Sequence, residues 1–146
     1  MGHSALHEAY TQTDFVVTTP VGDVTLRVGS PPVGNAAAIA TVAGRRVTVV
    51  TGWNPRSVPQ DTATNRDAND RLRAVIDSSG WAWWVAVGRG RPQPGTDGQS
   101  VSIWSEDSFA ILDVDATTMC LLGRAFDQNA IFQWDGDHGS IVWCHH

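Results

Sequence analysis

The chain has 146 residues and a formal net charge of −5, and all ten of its basic residues are arginine. This length is typical of one domain, so we predict a single domain over residues 1–146. The acidic balance argues against general nucleic-acid binding, which requires a basic face to neutralise phosphates. The lack of lysine excludes a Schiff-base enzyme and a phosphate-binding loop built on lysine.

The sequence predicts neither a targeting signal nor a membrane segment. No run of about 18 apolar residues occurs, which is the minimum for a membrane-spanning helix. The first ten residues, MGHSALHEAY, lack the basic start and the apolar core of a secretory signal. We therefore expect a cytoplasmic protein that does not contact a membrane.

The N-terminal third predicts a β-hairpin followed by a short helix. Residues 15–19 and 24–28 are rich in β-branched side chains and flank a turn-forming Pro-Val-Gly-Asp segment at 20–23. Residues 35–42 are rich in alanine, follow a proline pair and stop before Gly44, which is typical of a short helix.

The middle of the chain predicts a central strand and the longest helix. Residues 47–52 are apolar and β-branched, which indicates a strand buried on both faces. Residues 61–80 begin with residues that can cap a helix and end with Gly80, which favours a helix over this range. Its predicted apolar stripe consists of Ala68, Leu72, Val75 and Ile76.

The remaining segments predict strands around a second helix. Residues 81–88 alternate as a strand does, and two strand pieces flank Ser105-Glu106-Asp107. A helix is predicted within residues 113–126, capped by one of its first aspartates, and a final hairpin turns at residues 135–139.

After the hairpin and the short helix, the predicted order is strand, helix, strand, strand, helix, strand. This order is that of the split βαβ, or ferredoxin-like, pattern. We therefore predict an α+β fold: a ferredoxin-like core with an N-terminal β-hairpin and short helix, an antiparallel-rich mixed sheet, and two principal helices on one face.

The end of the predicted central strand, in the segment VVTGWNPRS, predicts a site. Pro55 cannot donate a hydrogen bond to a neighbouring strand, so it ends the strand. Trp53, Asn54, Arg56 and Ser57 then emerge at the C-terminal end of the strand. In α/β arrangements such strand ends commonly bind ligands.

The helix that follows carries two asparagines near this strand end. At 100° per residue, Asn65 falls between Leu72 and Ile76 on the core-facing side, with Asn69 just beyond. An unsatisfied buried amide costs about 1–3 kcal/mol, so Asn65 is expected to bond to the turn at residues 54–57.

Four motifs resemble a known family. They are TGWNPRS, NRDANDRL, WSEDSF and FDQNAIF, and their order and spacing are similar to those of the uncharacterised bacterial family Domain of Unknown Function 3293. The resemblance extends from about Tyr10 to the C-terminus. The family usually has glycine at the position of Asp127, and its loop corresponding to residues 88–100 is shorter. The resemblance implies a shared domain and a bacterial or phage source, but no reaction.

Polar residues of these motifs define the predicted site. The functional interpretation is a pocket at the end of strand 47–52 that binds a polar or anionic small molecule, such as a nucleotide, without a cofactor. The alternative is a network that only ties strand ends to helix starts. The predicted ligand-binding residues are Trp53, Asn54, Arg56, Ser57, Asn65, Arg66, Ser108 and Gln128.

Glu106 is the predicted catalytic residue if the protein is an enzyme. An apolar wall from Trp104 would raise the pKa of Glu106, whereas Arg56 or Arg66 within about 4–6 Å would lower it. An ion pair between Glu106 and one of these arginines is the structural alternative. Neither Ser57 nor Ser108 has a histidine in its motif, so a Ser-His triad is not predicted.

The histidines and cysteines predict neither a metal site nor a disulfide. His3 and His7 are four residues apart, and the chain ends in WCHH, but both cues lie at termini where order is poor. Cys120 and Cys144 are predicted to be free thiols, since a cytoplasmic location disfavours disulfides.

Seven tryptophans support two further alternatives for the function. Exposed tryptophans on a sheet face would suit a protein-interaction or regulatory module, or a homodimer. A protein that sequesters a nucleotide without turning it over is the other alternative. The ferredoxin-like order invites comparison with RNA-binding domains, but their aromatic and basic signature is missing.

Overall fold

The computed structural model describes residues 3–90 and 104–144, without the side chains of residues 3–6 and of Arg56. The predicted strand piece at 101–104 therefore lies outside the described residues except for Trp104.

Four α-helices, one 3₁₀ turn and eight strands form the described part of the chain. The helices are α1 (His3–Thr11), α2 (Ala36–Val42), α3 (Thr62–Ser79) and α4 (Ala116–Ala125), and the 3₁₀ turn is Pro55–Ser57. The strands are β1 (Thr13–Thr19), β2 (Gly22–Leu26), β3 (Val33–Gly34), β4 (Val47–Val50), β5 (Trp83–Gly90), β6 (Ser105–Leu112), β7 (Ala130–Trp134) and β8 (Gly139–Trp143).

The strands form one curled sheet in the order β3-β2-β1-β5-β6-β4-β7-β8. All of the strand pairs named here are antiparallel. The sheet curls so that the two ends of this strand order approach each other, where Val28, just after β2, forms a parallel bridge with Gly139 of β8. The predicted α+β class with an antiparallel-rich sheet is confirmed, and β4 is central because it pairs with both β6 and β7.

Local sequence signals set the helix ends. The side chains of Asn35, Asp61 and Asp115 cap α2, α3 and α4 by accepting a hydrogen bond from the backbone amide three residues later. Gly80 ends α3 in the left-handed conformation, with φ of 76°. The predicted short helix, long helix and second helix are confirmed, and Asp115 is the cap of the second helix.

Each face of the sheet has its own core. The inner face of the curl is filled by large side chains, including the stacked rings of Phe15 and Phe132 at 4.2 Å and the buried Trp134. The outer face packs against α3 and α4 through residues such as Leu72 and Met119. The predicted placement of two principal helices on one face is therefore confirmed.

Several predicted details are wrong. Val75 was assigned to the apolar stripe of α3, but it is 39% exposed because it lies at the edge of the buried face. Ser105-Glu106-Asp107 does not separate two strand pieces, since these residues belong to β6 and pair with β5. β4 ends at Val50 and not at Gly52.

The N-terminal helix α1 was not predicted. The segment HSALHEAYT contains neither glycine nor proline and is rich in good helix formers, so its composition carried the signal. The helix ends against the sheet, where the ring of Tyr10 meets that of Trp143 edge to face at 6.1 Å.

Two further predictions concern the cysteines and the absence of a membrane-spanning helix. Cys120 and Cys144 are free thiols, as predicted, and their sulfur atoms are 3.2 Å apart. None of the helices in the described residues is long and apolar enough to cross a membrane.

Asn69 joins α3 to the end of the central strand. Its side-chain oxygen accepts a hydrogen bond from the backbone amide of Gly52 at 2.7 Å, and its nitrogen donates to the carbonyl of Asp107 at 2.9 Å. A side chain at Gly52 would lie 3.0 Å from the backbone of Ala68, so glycine permits this close approach. One amide thus holds β4, β6 and α3 together.

We expect Asn69→Ala to lower the free energy of unfolding by about 1–3 kcal/mol, because it leaves the buried N–H of Gly52 without its acceptor. The carbonyl of Asp107 keeps a hydrogen bond from the hydroxyl of Thr51 at 2.6 Å. Chemical denaturation checks this. The matched control is Asp70→Ala on the adjacent, exposed position of α3, which should have little effect. Equal stability of the two variants would contradict the proposed role of Asn69.

Candidate functional site

A cavity of about 350 Å³ opens where β4 and β5 end and where β1, β6 and β7 begin. We call it the strand-end cavity. A smaller space of about 40 Å³ continues from it toward the inner face of the sheet. The polar and aromatic residues that line the strand-end cavity include Tyr10, Asn54, Ser57, Trp104, Glu106 and Gln128.

Glycines in β5 create the space. Gly88 is the cross-strand partner of Glu106 and contributes no side chain to the inner face. At Gly90 a side chain would collide with the indole ring of Trp104, so glycine allows this ring to lie against β5. Trp104 is 46% exposed and forms one wall of the cavity.

The segment after β4 is fixed by amide hydrogen bonds from α3. The backbone amide of Asn54 donates to the side-chain oxygen of Asn65 at 2.8 Å. In return, the side-chain nitrogen of Asn65 donates to the side-chain oxygen Oδ1 of Asn54 at 2.9 Å. The same oxygen of Asn54 accepts from the backbone of Gln60 at 3.0 Å. The predicted bond between Asn65 and this turn is confirmed, and Asn65 has a structural role.

Two cavity-lining residues have a backbone conformation that side chains disfavour. Asn54 has φ of 47° and Ser57 has φ of 61°, both in the left-handed region. Asparagine tolerates this region because its short side chain bonds locally, but serine seldom adopts it. The hydroxyl of Ser57 accepts a hydrogen bond from the side chain of Asn129 at 3.0 Å.

Gln128 borders the cavity from the loop before β7. It is 7% exposed, and its amide nitrogen donates to the carbonyls of Trp53 at 3.3 Å and Phe126 at 3.4 Å. The preceding residue, Asp127, has φ of 55°. Glycine adopts such an angle without strain, and aspartate tolerates it.

Glu106 is the titratable group at the centre of the lining. It is half-buried, and its carboxylate accepts one long hydrogen bond, from the side chain of Asn54 at 3.5 Å. Burial raises the pKa of Glu106 from 4.5 to about 7, and the bond from Asn54 opposes this rise. Glu106 forms no ion pair with the described side chains, which do not include that of Arg56.

Tyr10 is a site residue that the sequence interpretation missed. It reaches the cavity from α1, and burial and the nearby charge of Glu106 raise its pKa to about 12, while a hydrogen bond with Ser57 lowers it. The phenol is therefore neutral at physiological pH. Because α1 was not predicted, the only tyrosine of the chain had no assigned place in the fold.

A second cavity, of about 430 Å³, lies on the outer face of the sheet beside α3. We call it the helix cavity. Its lining includes Trp53, Arg66 and Arg73, and the guanidinium of Arg73 lies 5.4 Å from the ring centre of Trp83. Ser108 also borders it, and its hydroxyl donates to the carbonyl of Glu106 at 3.0 Å.

The structure thus separates residues that were predicted to share one pocket. Asn54, Ser57, Glu106 and Gln128 line the strand-end cavity. Trp53 and Arg66 line the helix cavity, and Ser108 borders both this cavity and the inner extension of the first. The side chain of Arg56 lies outside the described residues.

No histidine is among the described residues that line either cavity. Within the described part of the chain, no three His, Cys, Asp or Glu side chains lie close enough together to hold a metal ion.

We expect Ser57→Gly to be more stable than Ser57→Ala by about 1 kcal/mol, because glycine relieves the left-handed backbone at this position. Both variants lose the hydroxyl, so the difference between their stabilities measures the backbone strain alone. Thermal unfolding of the pair checks this, and a Ser57→Ala variant as stable as Ser57→Gly would argue against backbone strain.

Comparison with known proteins identifies the family. The model of a family described as "Protein of unknown function (DUF3293)" matches residues 50–131, which is more than half of the chain. This range is narrower than the resemblance expected from Tyr10 to the C-terminus, and it includes Asn54, Ser57, Glu106 and Gln128 but not Tyr10. No curated protein and no solved structure matches the chain. The chain belongs to the family described as Protein of unknown function (DUF3293).

Proposed function

We propose that the protein binds a polar small molecule in the strand-end cavity. The observation that carries this proposal is the half-buried carboxylate of Glu106 in a cavity whose walls are mostly apolar. Ligand sites are typically concave, of about 300–1,000 Å³, with apolar walls and a few convergent polar groups. A pKa strongly raised by burial is a further mark of functional sites.

The backbone of the surrounding loops supports the same proposal. Four non-glycine residues among those described have left-handed φ angles, and three of them are Asn54, Ser57 and Asp127. These three lie in the two loops that border the cavity. Uncommon backbone conformations persist where the surrounding structure fixes them, and they concentrate at ligand-binding sites.

The anionic version of this proposal depends on arginine. A phosphate-bearing ligand such as a nucleotide would need a cation near the cavity. Arg66 borders the helix cavity instead, so a ligand that uses both Arg66 and Glu106 would have to extend around the segment after β4. The strand-end cavity therefore supports polar recognition better than recognition of an anion.

Chemistry on the bound molecule is a second candidate function. A general base works best when its pKa lies near the working pH, and the pKa of Glu106 is about 7. If Glu106 acts on the ligand as a base and does not hold it, Glu106→Gln should instead retain the ligand and lose turnover.

An interaction module built on exposed tryptophans remains an alternative. Of the described tryptophans, Trp104 is the one that is strongly exposed, and the rest are buried or half-buried. A single exposed ring beside a cavity fits a wall of a small-molecule site better than an aromatic sheet face.

We also propose that β4 to β7 and their two helices form a ferredoxin-like, split βαβ unit. Two features support this interpretation: the strand order β5-β6-β4-β7, and the positions of α3 between β4 and β5 and of α4 between β6 and β7 in the chain. An experimental structure with right-handed crossovers through both helices tests it.

Native mass spectrometry of the purified full-length protein tests the binding proposal. We expect a small molecule to remain bound to the wild-type protein and to be depleted in Glu106→Gln. The matched control is Asp107→Asn, which removes an exposed carboxylate from the adjacent position on the opposite face of β6 and should keep the ligand. If Glu106→Gln retained as much ligand as the wild-type protein, Glu106 would have no role in recognising the ligand.

The raised pKa of Glu106 predicts a specific pH dependence of stability. The folded-state pKa of about 7 exceeds the ordinary value of 4.5, so the protonated carboxyl favours folding below pH 4.5. This contribution is lost as the pH rises through about 7, and the loss is at most about 3–4 kcal/mol at about 1.4 kcal/mol per pKa unit.

Glu106→Gln lacks this titration, so its stability relative to the wild-type protein should rise between pH 4.5 and 7. Denaturant unfolding at several pH values checks this, and Asp107→Asn should keep the wild-type trend. A stability difference between Glu106→Gln and wild type that does not change with pH would contradict the burial of an ionisable Glu106.

A further inference from the structure

We propose that the strand-end cavity recognises a planar nitrogen base, such as an amidine, a guanidine or an aminated heterocycle, whose adjacent N–H groups donate to the carboxylate of Glu106. This inference rests on the proposed function and names the chemistry of its ligand. It follows from which hydrogen-bonding atoms of the cavity are already used and which are not.

The carboxylate of Glu106 has unused acceptor capacity. An ionised carboxylate can accept about four hydrogen bonds. The one hydrogen bond that Glu106 accepts from described residues is the 3.5 Å bond from Asn54, which is at the long limit for such a bond. Its two oxygens can therefore accept the parallel N–H groups of an amidine or guanidine, a pairing that is both strong and directional.

Gln128 offers a second acceptor. Its amide nitrogen is fixed by the carbonyls of Trp53 and Phe126, because a side-chain oxygen in that place would face two other oxygens. The side-chain oxygen of Gln128 has no partner among the described residues, although the residue is 7% exposed. A buried acceptor without a partner is costly, and a ligand donor would satisfy it.

The donors of the lining are mostly engaged with the protein itself. The backbone amide of Asn54 bonds to Asn65, and its side-chain nitrogen bonds to Glu106. The nitrogen of Gln128 bonds to two carbonyls. An anionic ligand would thus be repelled by the carboxylate of Glu106 and would find few free donors. A ligand rich in N–H donors would find acceptors that the described residues do not satisfy.

The charge of the lining leads to the same choice. No basic residue is among those described that line the cavity, and the titratable group that shares it with Glu106 is Tyr10. Partial burial disfavours the charged form of Glu106, and a cationic partner within hydrogen-bond reach would restore it. Asn54 and Gln128, from the neighbouring loops, are neutral, and the side chain of Arg56 lies outside the described residues.

The walls suit a flat ligand body. The exposed indole of Trp104 stands at the rim, and Pro59 and Ala9 provide apolar surface nearby. Aromatic faces attract cations and stack on planar groups.

Three probes of nearly equal shape test this inference on the full chain: benzamidinium, benzamide and benzoate. NMR titration of the tryptophan indole N–H signals measures binding, with the Trp104 signal assigned from Trp104→Phe. At about pH 8 we expect benzamidinium to bind at least about tenfold more tightly than benzoate, as a charge-assisted pair implies. Its affinity should rise as the pH is raised through about 7, where Glu106 ionises.

Glu106→Gln should abolish most of the preference for benzamidinium, while Asp107→Asn should keep it. Benzoate binding at Trp104 as tightly as benzamidinium, or a benzamidinium affinity unchanged in Glu106→Gln, would overturn the inference but leave a cavity that binds small molecules. If no probe shifts the Trp104 signal at millimolar concentration, the inference fails. The proposed function then fails only if native mass spectrometry also finds no retained ligand.

Discussion

The amide hydrogen bonds from α3 to the end of β4 are the constraint on which the site depends. Asn69 bridges the backbone of Gly52 and Asp107, and Asn65 exchanges two hydrogen bonds with Asn54. Because both asparagines are buried, their amides must be satisfied within the protein, and the strand end is where their partners lie. The position of the cavity-lining loop after β4 thus follows from the packing of a helix.

Some of the polar motif residues have a structural role, whereas ligand binding is a proposal for others. Asn65 and Asn69 form closed networks that need no ligand. Glu106 and Gln128 are different, because each keeps acceptor atoms that the described residues do not satisfy.

The position of Glu106 illustrates how a strand can place a carboxylate in a poorly solvated site. The alternation of β6 directs Glu106 to the inner face and the neighbouring Asp107 to the outer face. Gly88 opposite Glu106 leaves space in place of a cross-strand side chain, and Tyr10 from α1 lines the same space. Removal from water then raises the pKa of Glu106, because no described cation compensates its charge.

The sequence alone determined α2, α3 and α4, most strands, the central position of β4 and the contact of Asn65 with the preceding turn, because caps, periodicity and buried amides are local signals. It also identified Glu106 as the carboxylate of interest. Tertiary structure decided which motif residues share a cavity: the curl of the sheet and the two faces of β4 and β6 separate Arg66 from Glu106. Tyr10 enters the site only through the docking of α1. Such placement depends on long-range packing between elements, which sequence spacing does not encode.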